Sequence, residues 1–238
     1  MRNTILFDLD GTLLPMDQNT FIHAYFSRLA MRFVPLGYDK DTIIGGVWKG
    51  TKAMIANDGT MTNRERFWRT FEQLLDRPLG DFEAQCDDFY TKEFREVQAI
   101  TKESDVAARV LPILREKGYL VALATNPVFP AVAVRTRLSW IGLSPEDFDY
   151  VTTYENSRFC KPNPRYFEDV MAALGVTAED CYMVGNNTED DLSAAGLGVE
   201  MFMVTDFLEN ETNVDITGVP HGTLEELLTW AENLPAVK

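Results

Sequence analysis

The chain is short of cysteine and of basic residues, and both shortages exclude classes of protein. Its three cysteines, Cys86, Cys160 and Cys181, are widely spaced and form no CxxC pair, which argues against a disulfide framework or a zinc site. Lysine and arginine number 22 against 37 acidic residues, so the formal net charge is −15. Such a charge repels nucleic acid and anionic membranes, and we expect neither as a partner.

Long apolar runs are also missing. No uninterrupted run approaches the roughly 18 residues of a membrane span, and the first apolar stretch reaches Asp8 too soon for a signal peptide. We therefore expect a cytoplasmic protein. With 238 residues, 45% of them hydrophobic, the chain can form a sizeable core and a smaller second domain. No feature of the sequence fixes the oligomeric state.

The most informative feature present is a pair of carboxylates directly after the first apolar run. Residues 5–7 predict a short buried strand, which Asp8 and Asp10 follow. Gly11 then gives the backbone the freedom that a tight exit needs. Two acidic side chains at positions i and i+2 point to the same side of the strand end, so they concentrate negative charge there. At roughly 4 Å and an effective dielectric near 20 they repel by about 4 kcal/mol, so a cation, a lysine or a shared proton is needed there.

From residue 104 onward, predicted strands and helices alternate, which is typical of a parallel sheet covered by helices. After the first strand, we predict strands over 119–124, 150–152, 181–184 and 199–204, and helices over 105–117, 131–138, 164–174, 190–195 and 224–230. The expected fold class is α/β, with a Rossmann-like parallel sheet flanked by helices. Ligands of such sheets gather at the carboxyl ends of the strands.

The stretch between the first strand and residue 104 has a different pattern, because it lacks an apolar strand run and carries aromatic residues at helical spacing. Thr62 with Glu65 fits a capping box. We predict an all-α insert over 17–100, with 1–16 and 101–238 forming the core domain. Its four apolar faces are Phe21, Tyr25 and Leu29; Ile43, Ile44, Val47 and Trp48; Phe67, Phe71, Leu74 and Leu75; and Phe82, Phe89 and Phe94.

Four stretches together resemble the signature of the haloacid dehalogenase-like hydrolase superfamily. Residues 8–14 read DLDGTLL, similar to the DxDGT of its phosphatase members. The others follow in family order: Thr125-Asn126 after an apolar run, KPNP at 161–164, and NNTEDD at 186–191. A helical insert directly after the first motif resembles the family's C1-type cap.

The resemblance implies a phosphatase that acts on a small phosphorylated metabolite, a phosphate monoester, through an aspartyl phosphate. Asp8 would be the nucleophile, and Asp10 the acid and then the base. Lys161 would add a fixed positive charge, while Thr125 would hold phosphoryl oxygens. The residues expected to contact the substrate are Gly11, Thr12 and Asn126, with Trp48 and Lys49 from the cap.

The resemblance also implies Mg²⁺, held by Asp8, by the main-chain oxygen of Asp10 and by an acid of the fourth motif. The sequence departs from the family pattern at Asn186, where an aspartate is expected. An amide oxygen can coordinate Mg²⁺ but contributes no charge. On spacing, Asp191 is the expected acid, and Asp190 is the alternative.

Each motif also has an ordinary structural explanation. A lone DxD can be a loop or a cap, and KPNP can be a helix start, because proline is tolerated in a first helical turn. Thr188 with Asp191 is close to a capping box. The occurrence of all four motifs in order at predicted strand ends favours a shared active site.

Three other functions stay open. A phosphomutase would keep all four motifs. A haloacid dehalogenase is similar in fold and often has asparagine in the fourth motif, but it should lack Asp10 and need no metal. A catalytically weakened, phosphate-binding member is suggested by Asn186. That last alternative is opposed by the intact Asp8, Asp10, Thr125 and Lys161.

Overall fold

The computed structural model describes residues 2–75 and 78–237. Its strands are β1 Thr4–Phe7, β2 Leu120–Leu123, β3 Tyr150–Val151, β4 Cys181–Gly185, β5 Glu200–Val204 and β6 His221–Gly222. They form one six-stranded sheet in the order β3-β2-β1-β4-β5-β6, and every pairing is parallel. The α/β class predicted from the alternating pattern is confirmed.

The helices cover both faces of the sheet and fill the insert between β1 and β2. They are α1 Gln18–Phe33, α2 Lys40–Ile55, α3 Asn63–Glu72, α4 Phe82–Thr91, α5 Val106–Glu116, α6 Ala131–Ser139, α7 Pro164–Leu174 and α8 Leu224–Asn233. Short 3-10 helices span Val34–Leu36, Glu93–Ile100, Pro145–Asp147, Ala178–Asp180 and Leu192–Leu197. None of the helices in the described ranges is long and apolar enough to cross a bilayer.

Two sequence predictions need correction. The helix predicted over 190–195 is a 3-10 helix, Leu192–Leu197, which starts later because the main-chain N–H groups of Glu189 and Asp190 are capped by Oδ1 of Asn187. The N-cap of this helix is Asp191, which makes no side-chain cap hydrogen bond, so the capping box suggested for Thr188 with Asp191 is absent. Strand β6 was not predicted, because His221 and Gly222 are not part of an apolar run.

Strand β1 is the buried centre of the sheet. Its four residues are fully buried, and it pairs with β2 on one side and β4 on the other. Side chains alternate between the faces of a strand. Ile5 and Phe7 accordingly join the cluster that includes the insert, whereas Leu6 joins the cluster on the opposite face. This arrangement explains why the run before Asp8 is apolar at every position.

The insert consists of helices packed through aromatic rings. Phe71 stacks on Phe82 with ring centroids 5.2 Å apart, and Tyr25 meets Phe94 edge to face at 5.9 Å. The capping box predicted at Thr62 is present at the start of α3. Leu74 and Leu75 lie beyond the end of that helix. The limits 17–100 for a separate cap stay a prediction.

Candidate active site

The carboxyl end of β1 is fixed from both sides. The main-chain N–H of Asp8 donates to the oxygen of Val184 in β4 at 2.9 Å. On the other side, the N–H of Ala124 donates to the oxygen of Phe7 at 2.7 Å. Asp8 is therefore held at the centre of the sheet's carboxyl edge, between the ends of β2 and β4.

The first and fourth motifs are in direct contact. Gly11 has a φ of +80°, in the left-handed region, and a Cβ at this position would overlap the side-chain amide of Asn186. Both observations call for glycine. Thr12 Oγ1 donates to Asn186 Oδ1 at 2.9 Å, and Asn186 Nδ2 donates to the oxygen of Phe207 at 2.7 Å. The Asn186 amide thus joins the turn after β1 to the loop after β5.

Lys161 lies at the centre of a buried cluster of ion pairs. Its Nζ donates to Asp8 Oδ1 at 2.9 Å and to Asp191 Oδ1 at 2.6 Å. The side chains of Lys161 and Asp191 are each 1% exposed. The other oxygen of Asp191 accepts the main-chain N–H groups of Asn186 and Asn187, both at 3.0 Å. The structure therefore brings residues of the first, third and fourth motifs together.

Burial and crowding change how these groups hold protons. Burial raises the pKa of Asp8 to about 8, with the Lys161 ammonium opposing the rise and Asp191 adding to it. Burial also raises the pKa of Asp10, against the effect of Arg137. For Lys161, burial alone would lower the pKa, but the carboxylates of Asp191 and Asp8 raise it above its usual range. The lysine is thus a permanent cation among acids that favour a proton or a further positive charge.

The second motif follows β2, as its position in the sequence predicts. The main-chain oxygen of Thr125 accepts hydrogen bonds from Thr152 Oγ1 at 2.7 Å and from the hydroxyl of Tyr166 at 2.9 Å. Asn126 Nδ2 donates to Asp190 Oδ2 at 2.9 Å. Within the described ranges, Asn126 Oδ1 is buried and has no partner. The motif is therefore fixed through its main chain, and a buried acceptor is left for a ligand.

Arg137 is a site residue that the sequence reasoning missed. It lies on α6, its side chain is fully buried, and its guanidinium pairs with Asp10 Oδ2. The guanidinium carbon also lies 4.4 Å from the centre of the Phe129 ring. The signal was available: Ala133 and Val134 lie four and three residues before Arg137, on the apolar face of the predicted helix. A buried arginine at such a position needs a carboxylate partner.

A cavity of about 250 Å³ begins at the carboxyl edge of the sheet and extends among the helices of the insert. Asp8, Asp10 and Lys161 line its inner end. Most of its remaining wall is aromatic or aliphatic and comes from α1, α2, α3 and α4. A concave apolar site with a few convergent polar groups is the usual form of a small-molecule site.

The two cap residues predicted to contact substrate have different positions. Trp48 lines the cavity and packs against Phe26 with ring centroids 5.4 Å apart. Lys49 is exposed and is not among the cavity-lining residues. On an α-helix, adjacent residues point about 100° apart, so only one of the two can face the cavity.

The cavity wall carries an excess of negative charge. Glu209, which the sequence reasoning missed, accepts a hydrogen bond from Asn187 Nδ2 at 2.7 Å. Its position after β5, at the same edge of the sheet, was the available signal. Among the residues that the structure describes, the charged ones lining the cavity are Asp8, Asp10, Asp190, Asp191 and Glu209, with Lys161 as the single cation.

These residues fit a hard divalent cation. In the part of the chain that the structure describes, no group of three or more histidine, cysteine or acidic side chains is arranged to hold a metal. Mg²⁺ does not need one, because it binds through one or two carboxylates, other oxygens and water. Oδ1 of Asp10 is buried without a hydrogen-bond partner within the described ranges. The site therefore has negative charge that the single lysine does not balance, and it has oxygen atoms that can coordinate a metal ion.

Two pyrophosphatases are similar to this chain in sequence. Pyrophosphatase PpaX of Bacillus pumilus is 25% identical over 198 residues, which cover 83% of this chain and 81% of that protein. Pyrophosphatase PpaX of Halalkalibacterium halodurans is 26% identical over 202 residues, covering 85% and 83% respectively.

Solved structures have the same fold. A HAD phosphatase from Thermococcus onnurineus superposes with a TM-score of 0.59 at 20% identity, over 100% of both chains. CbbY from Rhodobacter sphaeroides, determined in complex with phosphate, gives a TM-score of 0.60 at 19% identity, over 95% of this chain and 96% of that one.

The family model described as haloacid dehalogenase-like hydrolase matches residues 3–198, which include all four motifs and the whole helical insert. With this match and the convergence of the motifs at one edge of the sheet, the chain belongs to the haloacid dehalogenase-like hydrolase family.

Proposed function

We propose that this hydrolase is a Mg²⁺-dependent phosphatase that cleaves a phosphate monoester through an aspartyl phosphate on Asp8. One observation carries the proposal: Lys161 Nζ lies 2.9 Å from Asp8 Oδ1, at the inner end of a cavity large enough for an organic group. A buried carboxylate with a fixed cation beside it suits attack on an anionic phosphate, because the cation offsets the repulsion.

In the first step, the free oxygen of Asp8 attacks phosphorus while the ester P–O bond breaks. The hydrogen bond from Lys161 to Oδ1 orients the carboxylate for this attack. Asp10 gives its proton to the departing oxygen, which its raised pKa favours. The products of this step are the free alcohol and the phosphorylated Asp8.

In the second step, water attacks phosphorus and Asp8 leaves as a carboxylate. Asp10, now ionised, takes the proton of that water and returns to its starting state. Lys161 and Thr125 stabilise the phosphoryl oxygens throughout. Arg137 is a positioning residue, since its ion pair fixes the direction of the Asp10 carboxyl group.

Mg²⁺ would be held by a carboxylate oxygen of Asp8, the main-chain oxygen of Asp10 and the amide oxygen of Asn186. When bound, it would supply positive charge to the transferring phosphoryl group. Both oxygens of Asp191 are already hydrogen-bonded, to Lys161 and to two main-chain N–H groups. We therefore assign Asp191 to positioning Lys161 and prefer Asp190 as the nearby acid, which reverses the order suggested by spacing.

Replacing Arg137 by methionine should lower kcat and shift the pH profile. The Arg137 guanidinium holds the pKa of Asp10 below the value that burial alone would give. Without the guanidinium the pKa of Asp10 rises, so Asp10 stays protonated to higher pH. The alkaline limb of the kcat/KM pH profile therefore moves to higher pH. Arg135→Met is the matched control, because Arg135 lies on the same helix but pairs with Glu146 at the surface. If activity falls but the alkaline limb of the pH profile does not move, the positioning role of Arg137 is contradicted.

Replacing Asn186 by aspartate should tighten Mg²⁺ binding at least about tenfold. A full charge about 4 Å from another is worth roughly 4 kcal/mol at an effective dielectric near 20. The hydrogen bond to Phe207 is lost with and without bound metal, so it costs about 1 kcal/mol of fold stability and leaves the gain in Mg²⁺ affinity unchanged. Titration of Mg²⁺ against phosphate release, after removal of metal with EDTA, measures the affinity. Asn187→Asp adds the same charge one residue along and should change the affinity less than threefold. Equal effects of the two variants would exclude ligation by residue 186.

The relatives suggest inorganic pyrophosphate as a second candidate substrate. A phosphate-release assay over pyrophosphate, sugar phosphates, nucleotides and simple alkyl or aryl phosphates, with and without EDTA, tests both the reaction class and the metal. Chloride release from a haloacid would indicate a dehalogenase. Transfer of phosphate between positions of one substrate would indicate a phosphomutase. Phosphate binding without turnover of any compound would indicate a non-catalytic member.

A further inference from the structure

We infer that the leaving group of the substrate is apolar and elongated: the enzyme takes the phosphate monoester of an alkyl or aryl-alkyl alcohol rather than a sugar phosphate or pyrophosphate. This inference rests on the proposed phosphatase function and adds the substrate class. The evidence is the wall of the cavity that begins at Asp8 and extends into the cap.

The cap side of the cavity is mostly apolar. On α1 the lining residues run from Gln18 to Leu29, which at 1.5 Å per residue corresponds to roughly 16 Å of helix axis. Phe67, Phe71 and Phe82, from α3 and α4, also line it. The space is therefore long, and much of its wall consists of phenylalanine and aliphatic side chains, which form no hydrogen bonds.

The described wall of the cavity offers no cation for a second anionic group. Among the described lining residues, Lys161 is the sole lysine or arginine, and it is already bonded to two carboxylates. Lys49 and Lys52 on α2 are exposed and do not line the cavity. A second phosphate, as in pyrophosphate, would be desolvated with no partner, which is strongly unfavourable.

Sugar hydroxyls would also be left without partners. Besides Gln18 and Thr51, the polar atoms on the cap side of the cavity wall belong to Tyr25, Tyr90, Trp48, Trp68 and Cys86. The hydroxyls of Tyr25 and Tyr90 are hydrogen-bonded to each other at 2.9 Å, and Trp68 Nε1 donates to the hydroxyl of Tyr154 at 3.2 Å. A wall whose hydrogen-bonding groups are few and largely paired disfavours polyols, because each buried hydroxyl loses its water without replacement. Apolar surface, in contrast, gains free energy when it enters such a wall.

The mouth of the cavity supports the same conclusion. Trp48 and Ile55 line the cavity and are 43% and 47% exposed. Large apolar side chains that stay partly in water at the entrance of an apolar cavity are typical of a ligand-binding groove. They offer an apolar chain a continuous path from solvent to the nucleophile.

The test is a series of n-alkyl phosphates, from ethyl to octyl, assayed for phosphate release with the intact protein and Mg²⁺. Each buried methylene should raise kcat/KM about fourfold until the cavity is full. Glycerol phosphate and pyrophosphate serve as polar comparisons and should be turned over less well than butyl phosphate. A flat series, or a preference for either polar compound, would overturn the inference.

A cavity-filling variant locates the effect. Leu29→Phe adds bulk deep in the cavity, where Leu29 is 2% exposed, and should reduce kcat/KM for octyl phosphate at least tenfold while ethyl phosphate is little affected. Leu36→Phe is the matched control, because Leu36 is 50% exposed and is not a lining residue. Equal loss for the long and the short ester would contradict the inference.

The two proposals fail in different ways. If no monoester of any length releases phosphate, the proposed phosphatase function fails. If esters are hydrolysed at Asp8 but chain length has no effect, the function stands and the apolar substrate class is wrong.

Discussion

Asp8→Asn is expected to lower phosphate release by at least about 10⁴-fold, the range seen when a nucleophile is removed from a catalytic group that acts as a unit. The amide is a far weaker nucleophile than the carboxylate, and its neutral oxygen still accepts the hydrogen bond from Lys161. The geometry around the ammonium is thereby kept while the chemistry is lost. Phosphate release under saturating substrate, over a range of pH, measures the effect.

Thermal unfolding in EDTA is the control for this variant. Burial raises the pKa of Asp8 from its ordinary value of 3.8 to about 8 in the folded protein. Below pH 4 the group is protonated in both states and has no effect. Between pH 4 and 8 the unfolded state ionises first, so ionisation of Asp8 destabilises the fold as pH rises. Asp8→Asn should therefore unfold at a higher temperature than the natural protein at pH 8, with the difference shrinking toward pH 5.

Lys161→Met is expected to abolish activity and also to destabilise the fold by about 3–5 kcal/mol, because it leaves two buried carboxylates without their cation. For a chain of this size that is a fall in Tm of roughly 10 °C. Thermal unfolding measures the fall. Lys52→Met, at an exposed position on α2, should leave both activity and Tm unchanged.

The double variant Lys161→Met/Asp191→Asn separates the two roles of the lysine. Removing the second charge should recover part of the lost Tm, because asparagine can still accept the N–H groups that Asp191 Oδ2 accepts. Activity should stay absent, since the cation beside Asp8 is still missing. Recovery of activity together with stability would show that Lys161 acts only on the fold.

The sequence predicted those parts of the molecule that depend on local pattern. The fully buried run of β1 and the proline at the start of α7 are visible in a few adjacent residues, and helix Pro164–Leu174 has the predicted bounds. The rule that ligands gather at the carboxyl ends of parallel strands then explains why Asp8, Thr125 and Asn186 lie at one edge of the sheet.

The sequence could not predict features that depend on packing between distant elements. Arg137 reaches Asp10 across 127 positions of sequence, and although its spacing from Ala133 and Val134 places it on the apolar face of α6, nothing local identifies its partner. The preference for Asp191 over Asp190 as a metal ligand rested on spacing, whereas the hydrogen bonds of Asp191 to Lys161 and the loop depend on the fold. The apolar wall of the cavity arises from faces of four helices, none of which indicates a cavity alone.

Trapping the phosphorylated enzyme tests the central claim most directly. The protein is mixed with excess substrate and Mg²⁺, quenched in acid during turnover and digested, and the peptides are examined by mass spectrometry. We predict one additional phosphoryl group on the peptide that contains Asp8, absent from the Asp8→Asn protein. Two results would contradict nucleophilic catalysis by Asp8. One is turnover with the phosphoryl group on any other residue, and the other is turnover with no phosphorylated peptide under conditions that preserve acyl phosphates.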